Sequence, residues 1–331
     1  MRFTFLGTSS GAPTRTRNVT ALAVRAGPGR RWYLVDCGEG TQHQLMSTPL
    51  SGHHLGAIFI THVHGDHCYG LPGMLSHAAI SGRTQPLTIV GPAPIELMVR
   101  TTLSASDAAL PFEVEFIDVA LRRQLSFDDF TVDVFACSHR VPSYAYRFTE
   151  RITRNRLDTQ ALQAAGLPRG PDWGALQRGE TVRLAQGREL RPEDYLLPER
   201  SPLSAVIAGD NDTPALLDEA CRSAQVLIHE ATYTDDLLND RRARYQHSSA
   251  GQVARFAHSV NLPNLVLTHF SARFGSHAAR SPSIHDVAAE ARNAYAGNLF
   301  LAQDLDEFEL SSTGALTRST TATRATKRPK S

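Results

Sequence analysis

Four side chains able to bind a metal fall within six residues in Thr61-His62-Val63-His64-Gly65-Asp66-His67. This H-x-H-x-D-H arrangement follows the apolar run AIFI (57–60) and precedes a glycine-containing helix start, so it belongs on a strand-to-helix loop. On such a loop His62 and His64 can face one locus while Asp66 and His67 face a neighbouring one, which suits two metal ions side by side. Imidazole and carboxylate ligands without thiolate favour zinc or another borderline divalent ion, and open coordination positions imply catalysis over structure. One loop cannot complete two coordination shells, so further ligands are expected at the carboxyl ends of strands, where α/β sheets present functional groups. Three residues qualify: His139 after VDVFACS, Asp210 after SAVIAG and His269 after LVLT. The cysteines at 37, 68, 137 and 221 form no CxxC pair, which fits reduced thiols better than a disulfide framework or a thiolate zinc site.

The elements that must carry these residues are legible as short apolar runs closed by glycine, proline or polar clusters. RFTFL (2–6), ALAV (21–24), WYLVD (32–36), AIFI (57–60) and LTIV (87–90) read as strands, with helices near 42–47, 68–80 and 93–104. The second half repeats the alternation: SAVIA (204–208), VLIHE (226–230), LVLTH (265–269) and LFLA (299–302) as strands, with helices near 214–223, 247–259 and 284–295. Two such halves indicate an α/β protein with helices outside one or two sheets. Residues 150 to about 203 depart from the pattern, being rich in Arg, Pro and Gly, and read as an inserted arm. Residues 311–331 are low-complexity Ser/Thr/Ala/Arg and are expected to form a disordered basic tail after a catalytic domain of residues 1–310.

Composition excludes some partners. Five of the 34 basic residues and none of the 33 acidic ones lie in that tail, so residues 1–310 carry a net charge of −4 and offer no basic body for bulk attraction to nucleic acid. No apolar run approaches the roughly 20 residues needed to span a bilayer, and the N-terminus has no signal-peptide stretch, so a soluble cytoplasmic protein without membrane association is expected. No nucleotide cofactor is expected.

The order of motifs resembles the ribonuclease Z (tRNase Z) family, the tRNA 3′-processing endoribonucleases of the metallo-β-lactamase superfamily. The matching segments are FLGTSSGAPTRTRN (5–18), DCGEGTQHQL (36–45), ITHVHGDHCYGLPG (60–73), SHRVPSYAYRF (138–148), Gly209-Asp210, HEATY (229–233), HSSAGQVA (247–254) and LTHFSARF (267–274). The resemblance implies a metallo-β-lactamase fold, a four-layer αββα sandwich of two mixed sheets with outer helices and an inserted flexible arm that grips tRNA. It implies two zinc ions per subunit, another divalent ion such as manganese being compatible, and zinc-dependent cleavage of precursor tRNA after the discriminator nucleotide. The products would be a tRNA 3′-hydroxyl and a 5′-phosphorylated trailer, and the assembly a homodimer.

Carried over position by position, His62, His64 and His139 would hold one ion, Asp66, His67 and His269 the other, and Asp210 would bridge them. Asp66 would also accept the proton of the attacking water. His247, oriented by Glu230, would assist departure of the 3′-oxygen. The segment reads GDNDTP, two residues longer than the family pattern, which makes Asp212 a rival for the bridging position. The turns GTSSG and DCGEGT would line the site, Phe270 and Phe274 are candidates for stacking on a base, and Arg147, Arg151, Arg154, Arg156 and Arg169 would contact RNA from the arm. Two other readings remain: a small-molecule phosphodiester or ester hydrolase of the same fold, and a non-catalytic RNA-binding relative.

Overall fold

A computed structural model describes residues 1–319 apart from 28, 152–154, 185–186, 199, 240–244 and 276–280. The expected strands form two mixed sheets. In the first, Arg2–Gly7, Ala21–Arg25 and Trp32–Val35 run antiparallel in turn, and Leu55–Phe59, Leu87–Gly91 and Val114–Asp118 continue in parallel. In the second, Ser143–Glu150 pairs antiparallel with Ser204–Ala208, followed in parallel by Val226–Glu230, Asn264–Thr268 and Asn298–Leu301.

The period of two along each strand sorts side chains between layers. Phe3, Phe5, Val24, Tyr33, Val35 and Phe59 point inward, against Phe148, Ile207, Ile228 and Val266 of the other sheet. Their neighbours Leu34, Ile58 and Ile60 pack outward with Leu71, Met74, Ile95 and Val99 of the helices Leu71–Ile80 and Pro94–Ala105. On the other flank Val206, Leu227, Leu265 and Leu267 meet the helices Ala250–Ser259 and Ile284–Ala294. The result is a four-layer αββα sandwich. Edge-to-face rings tie the two sheets together, Phe59 lying 5.1 Å from Phe148 and 5.2 Å from Tyr146, pairs worth about 0.5–1.5 kcal/mol each beyond their burial. The Tyr146 hydroxyl also donates to the Ile60 carbonyl at 2.7 Å, one residue before the metal-binding loop begins.

Residues 150–202 form a second compact unit. Leu162, Leu167, Leu176, Val182, Leu190 and Tyr195 make a small core of its own, drawn from the helices Thr159–Ala164 and Pro171–Gln177 and from short hairpin strands. Apolar residues supplied one or two at a time leave no long run, so a reading based on runs under-counts this core.

The C-terminal expectation needs correction. Leu316–Ser319, placed by composition in a disordered tail, is a strand pairing antiparallel with Glu307–Leu310 at the edge of the first sheet. Its pairing is held by contacts with its neighbours: Leu316 is buried in the core between the sheets, and the Arg318 guanidinium lies 5.2 Å from the Phe308 ring and donates to the Leu301 carbonyl at 2.6 Å. Residues 320–331 lie outside the described residues.

Candidate metal centre

The seven ligand candidates follow the carboxyl ends of four strands, one in the first sheet and three in the second. His62 and His64 sit on the loop after Leu55–Phe59, and Asp66 and His67 on the following turn Gly65–Cys68. His139 follows Phe130–Cys137, Asp210 follows Ser204–Ala208, and His269 follows Asn264–Thr268. Gly209 permits this convergence, because a Cβ there would lie 2.6 Å from the Thr61 Cβ and 2.8 Å from the Ser143 Oγ.

Two clusters result. His62 Nε2 and His139 Nε2 each lie 3.1 Å from His64 Nδ1. His67 Nε2 lies 3.2 Å from His269 Nε2, which is 3.3 Å from Asp66 Oδ2. Nitrogens held at 2.0–2.1 Å by one tetrahedral ion stand about 3.3 Å apart, so these spacings fit a shared metal. Asp210 stands between the clusters, its Oδ2 at 3.5 Å from His62 Nε2 and 3.7 Å from His139 Nε2, its Oδ1 at 3.4 Å from His67 Nε2 and 3.3 Å from His269 Nε2. One carboxylate thus turns one oxygen to each cluster. Asp212 is not among them; its carboxylate accepts from the Thr213 hydroxyl at 2.7 Å.

The opposite nitrogen of four ligand rings has a partner of its own, which orients the ring and fixes the tautomer. His67 Nδ1 meets Asp36 Oδ2 at 2.7 Å, and His139 Nδ1 meets the Gln246 carbonyl at 2.8 Å. His62 Nδ1 lies 3.0 Å from Thr61 Oγ1, which itself donates to Asp36. His269 Nδ1 lies 2.8 Å from Thr232 Oγ1, which donates to Glu230. Asp36 therefore supports one ligand directly and another through Thr61. Asp36 and His269 both take left-handed backbone angles, φ 58° and 56°, uncommon for non-glycine residues and held here by these bonds. The sequence places Asp36 only in a turn expected to line the site and points to no role for Thr61 or Thr232. The available signal was position, since Asp36 closes a strand beside the metal loop and Thr232 lies within HEATY.

Carboxylates and imidazoles of the site titrate together: burial disfavours the His67 imidazolium, yet Asp210, Asp36 and Asp66 hold its pKa well above the ordinary range. Burial alone would raise the Asp210 carboxyl, but His269, His67 and His62 outweigh it and hold it well below the ordinary range. Asp66 behaves likewise: burial opposes its charge, and His67 with the hydrogen bond from His269 prevails. Burial pushes His62 toward the neutral form that ligates. Beside the clusters, His247 Nδ1 lies 3.1 Å from Glu230 Oε1, and the Asn211 N–H donates to that oxygen at 2.8 Å. Burial disfavours the His247 imidazolium, yet Glu230 and Asp210 overcome this and raise its pKa to about 9.

A cleft of about 410 Å³ opens over these groups, lined in part by Gly11, Arg140, Tyr245 and Arg273. The GTSSG turn reaches the centre directly, the Gly11 N–H donating to Asp66 Oδ2 at 2.6 Å. Phe270 is not available for stacking on a base: it is buried beneath the Arg17 guanidinium, 4.8 Å from its ring centre. Phe274 is half-buried against the outer core of the second sheet. Arg147 lies on the strand Ser143–Glu150 of the sandwich and not in the arm, its guanidinium bound to Asp133 at 2.8 Å and stacked 5.2 Å from Phe135. Arg156 and Arg169 are exposed on the 150–202 unit, Arg151 is exposed at its start, and Arg154 lies outside the described residues.

Comparison with known proteins agrees with this architecture. Residues 1–161 match the family described as Anti-Pycsar protein Apyc1. A ribonuclease Z of Pseudomonas putida is 52% identical over 97% of this chain and 99% of its own. Among solved structures, the short form of human tRNase Z superposes with a TM-score of 0.64 at 26% identity, covering 94% of this chain and all of that one. The metallo-β-lactamase fold protein YhfI of Bacillus subtilis reaches 0.62 at 18% identity, covering 96% of this chain and 99% of its own, which shows the shared fold. With identity of this degree sustained over nearly the full length of both chains, on a metallo-β-lactamase fold, the chain belongs to the ribonuclease Z family.

Proposed function

We propose that this protein is a zinc-dependent endoribonuclease that removes the 3′ trailer from precursor tRNA, cutting after the discriminator nucleotide to leave a tRNA 3′-hydroxyl and a 5′-phosphorylated trailer. The observation that carries this reading is the convergence of two ligand clusters on the single carboxylate of Asp210, in a chain of the ribonuclease Z family. His62, His64 and His139 would hold one ion, Asp66, His67 and His269 the other, with Asp210 shared. Bound zinc supplies Lewis acidity toward phosphoryl oxygens and lowers the pKa of water to about 7.

The chain's own residues divide the remaining work. Asp66, steadied by the Gly11 N–H, accepts the proton of the attacking water. As the water oxygen bonds to phosphorus and the P–O3′ bond breaks, His247 gives its proton to the departing 3′-oxygen. Glu230 on Nδ1 leaves Nε2 as the donating nitrogen and stabilises the imidazolium. Arg156 and Arg169 would contact tRNA phosphates from the arm, together with Arg151 and Arg154. A homodimer, which the ribonuclease Z family resemblance implies, is part of this reading. Among the described residues no helix is long and apolar enough to cross a membrane, and a cytoplasmic location is part of this reading.

The deciding experiment incubates purified protein with a 5′-labelled precursor tRNA carrying a 3′ trailer, beside a chelated sample and Asp66→Ala. A single cut next to the discriminator, absent from both controls, is expected. An intact precursor alongside hydrolysis of a generic phosphodiester would replace this reading with the small-molecule one.

A further inference from the structure

Glu230 ends the strand Val226–Glu230 and His247 sits on a loop, and the chain runs on from each toward a helix, Asp235–Asn239 after the first and Ala250–Ser259 after the second. The two segments are joined by backbone bonds: the Tyr233 N–H donates to the Ser248 carbonyl at 3.2 Å and the Ala250 N–H to the Tyr233 carbonyl at 2.9 Å. A third element closes the arrangement. Glu290, on the helix Ile284–Ala294, accepts the Asp235 N–H on Oε2 at 2.8 Å and the Gly251 N–H on Oε1 at 2.6 Å. These N–H groups belong to first turns, where backbone donors have no partner within the helix and a negative charge is favoured.

Asp235 completes the clasp from the first segment, taking a hydrogen bond from the Ser249 hydroxyl and two from Arg255 at 2.9 and 3.1 Å. The approach is close enough that a Cβ on Gly251 would lie 2.7 Å from Asp235 Oδ2. Neither Glu290, Asp235 nor Gly251 lines the cleft or belongs to a ligand cluster, and the reaction as derived leaves all three without a task.

We propose that Glu290 is a positioning residue for the Glu230–His247 pair, its carboxylate latching the segment that carries one member to the segment that carries the other. A pair split between a strand end and a loop keeps its 3.1 Å contact only while the two segments keep their spacing. A carboxylate with one oxygen for each segment holds that spacing, whereas an amide offers one acceptor and turns an N–H₂ group toward the second donor. The inference rests on the reading that His247 donates a proton during RNA cleavage.

The test is a double-mutant cycle in single-turnover cleavage of precursor tRNA, comparing wild type, Glu290→Gln, His247→Ala and the double variant, with metal content and Tm measured on each. Glu290→Gln is expected to slow cleavage about tenfold with KM and metal content unchanged, and to cost nothing further once His247 is gone. An unchanged rate, a loss of metal, or a loss that multiplies with that of His247→Ala would overturn the proposal. Gly251→Ala is the second variant, expected to reproduce the slow, His247-dependent phenotype even though alanine favours the helix. NMR of the His247 imidazole N–H, identified by its disappearance in His247→Ala, gives a readout without substrate. If the wild type cuts no precursor tRNA, the functional reading fails, while a His247 resonance unmoved by Glu290→Gln would by itself sink the latch.

Discussion

In the metal centre nearly every reactive atom has a second partner behind it. Asp36 stands behind His67 and, through Thr61, behind His62; Thr232 stands behind His269; the Gln246 carbonyl stands behind His139. The 150–202 unit is put together differently. Six buried side chains hold it, Arg178 and Arg183 are tied to Glu180 and Glu189, and Arg156 and Arg169 face solvent. Ligands must be held to within a few tenths of an ångström for a metal to bind, and that requires bonds from elements distant in sequence. A surface that meets phosphates needs charge and reach, and local contacts suffice for it. On the proposed reading, precision and reach fall to different parts of the chain.

This contrast is tested most forcefully at the proposed proton donor, the half-buried His247. His247→Ala should lower the cleavage rate by about 10²–10³ with little change in KM, read in single turnover, because a positioned general acid contributes on that order. The pH profile sharpens the point. With a pKa raised to about 9, His247 keeps its acid form below that value and loses it as pH rises through it, so the rate falls on the alkaline side. Glu230→Gln removes a charge that raises this pKa and should move the alkaline limb to lower pH; an unmoved limb would separate Glu230 from the pair. The same raised pKa adds stability that is complete below about pH 6.5 and fades as pH rises through about 9.

A smaller effect is expected behind the ligands. Asp36→Asn keeps the shape of the support but removes its charge, and should weaken metal affinity about 10–100-fold, measured by competition with a chromophoric chelator. Unchanged affinity would mean that the ligand rings orient themselves without the bonds behind them. The arm should give the mildest response. Arg156→Ala and Arg169→Ala are each expected to raise KM several-fold at unchanged kcat and to reduce the salt slope of binding by about one. A fall in kcat instead would contradict the division between precision and reach.

Much of the fold was open to sequence reading, because the period-two runs that sort Phe59 inward and Ile58 outward are the runs that announce strands. Leu316–Ser319 was not, since a short strand at a sheet edge is held by contacts with its neighbours, which its own composition does not reveal. Adjacency in sequence groups Arg147 with the arm, whereas strand register sets it beside Asp133.

Residue order alone sets the chemistry available: the H-x-H-x-D-H loop, the ligand types at 139, 210 and 269, and the His and Glu of two further motifs. Those are properties of residue type and local spacing. Tertiary packing settles which atoms face each other, namely that Asp210 turns one oxygen to each cluster, that His64 presents Nδ1 where His62 presents Nε2, and that Asp212 stays outside. It also settles which residues stand behind the ligands. These choices depend on the register of strands and the closure of loops between residues far apart in the chain, and packing of the whole sandwich sets both.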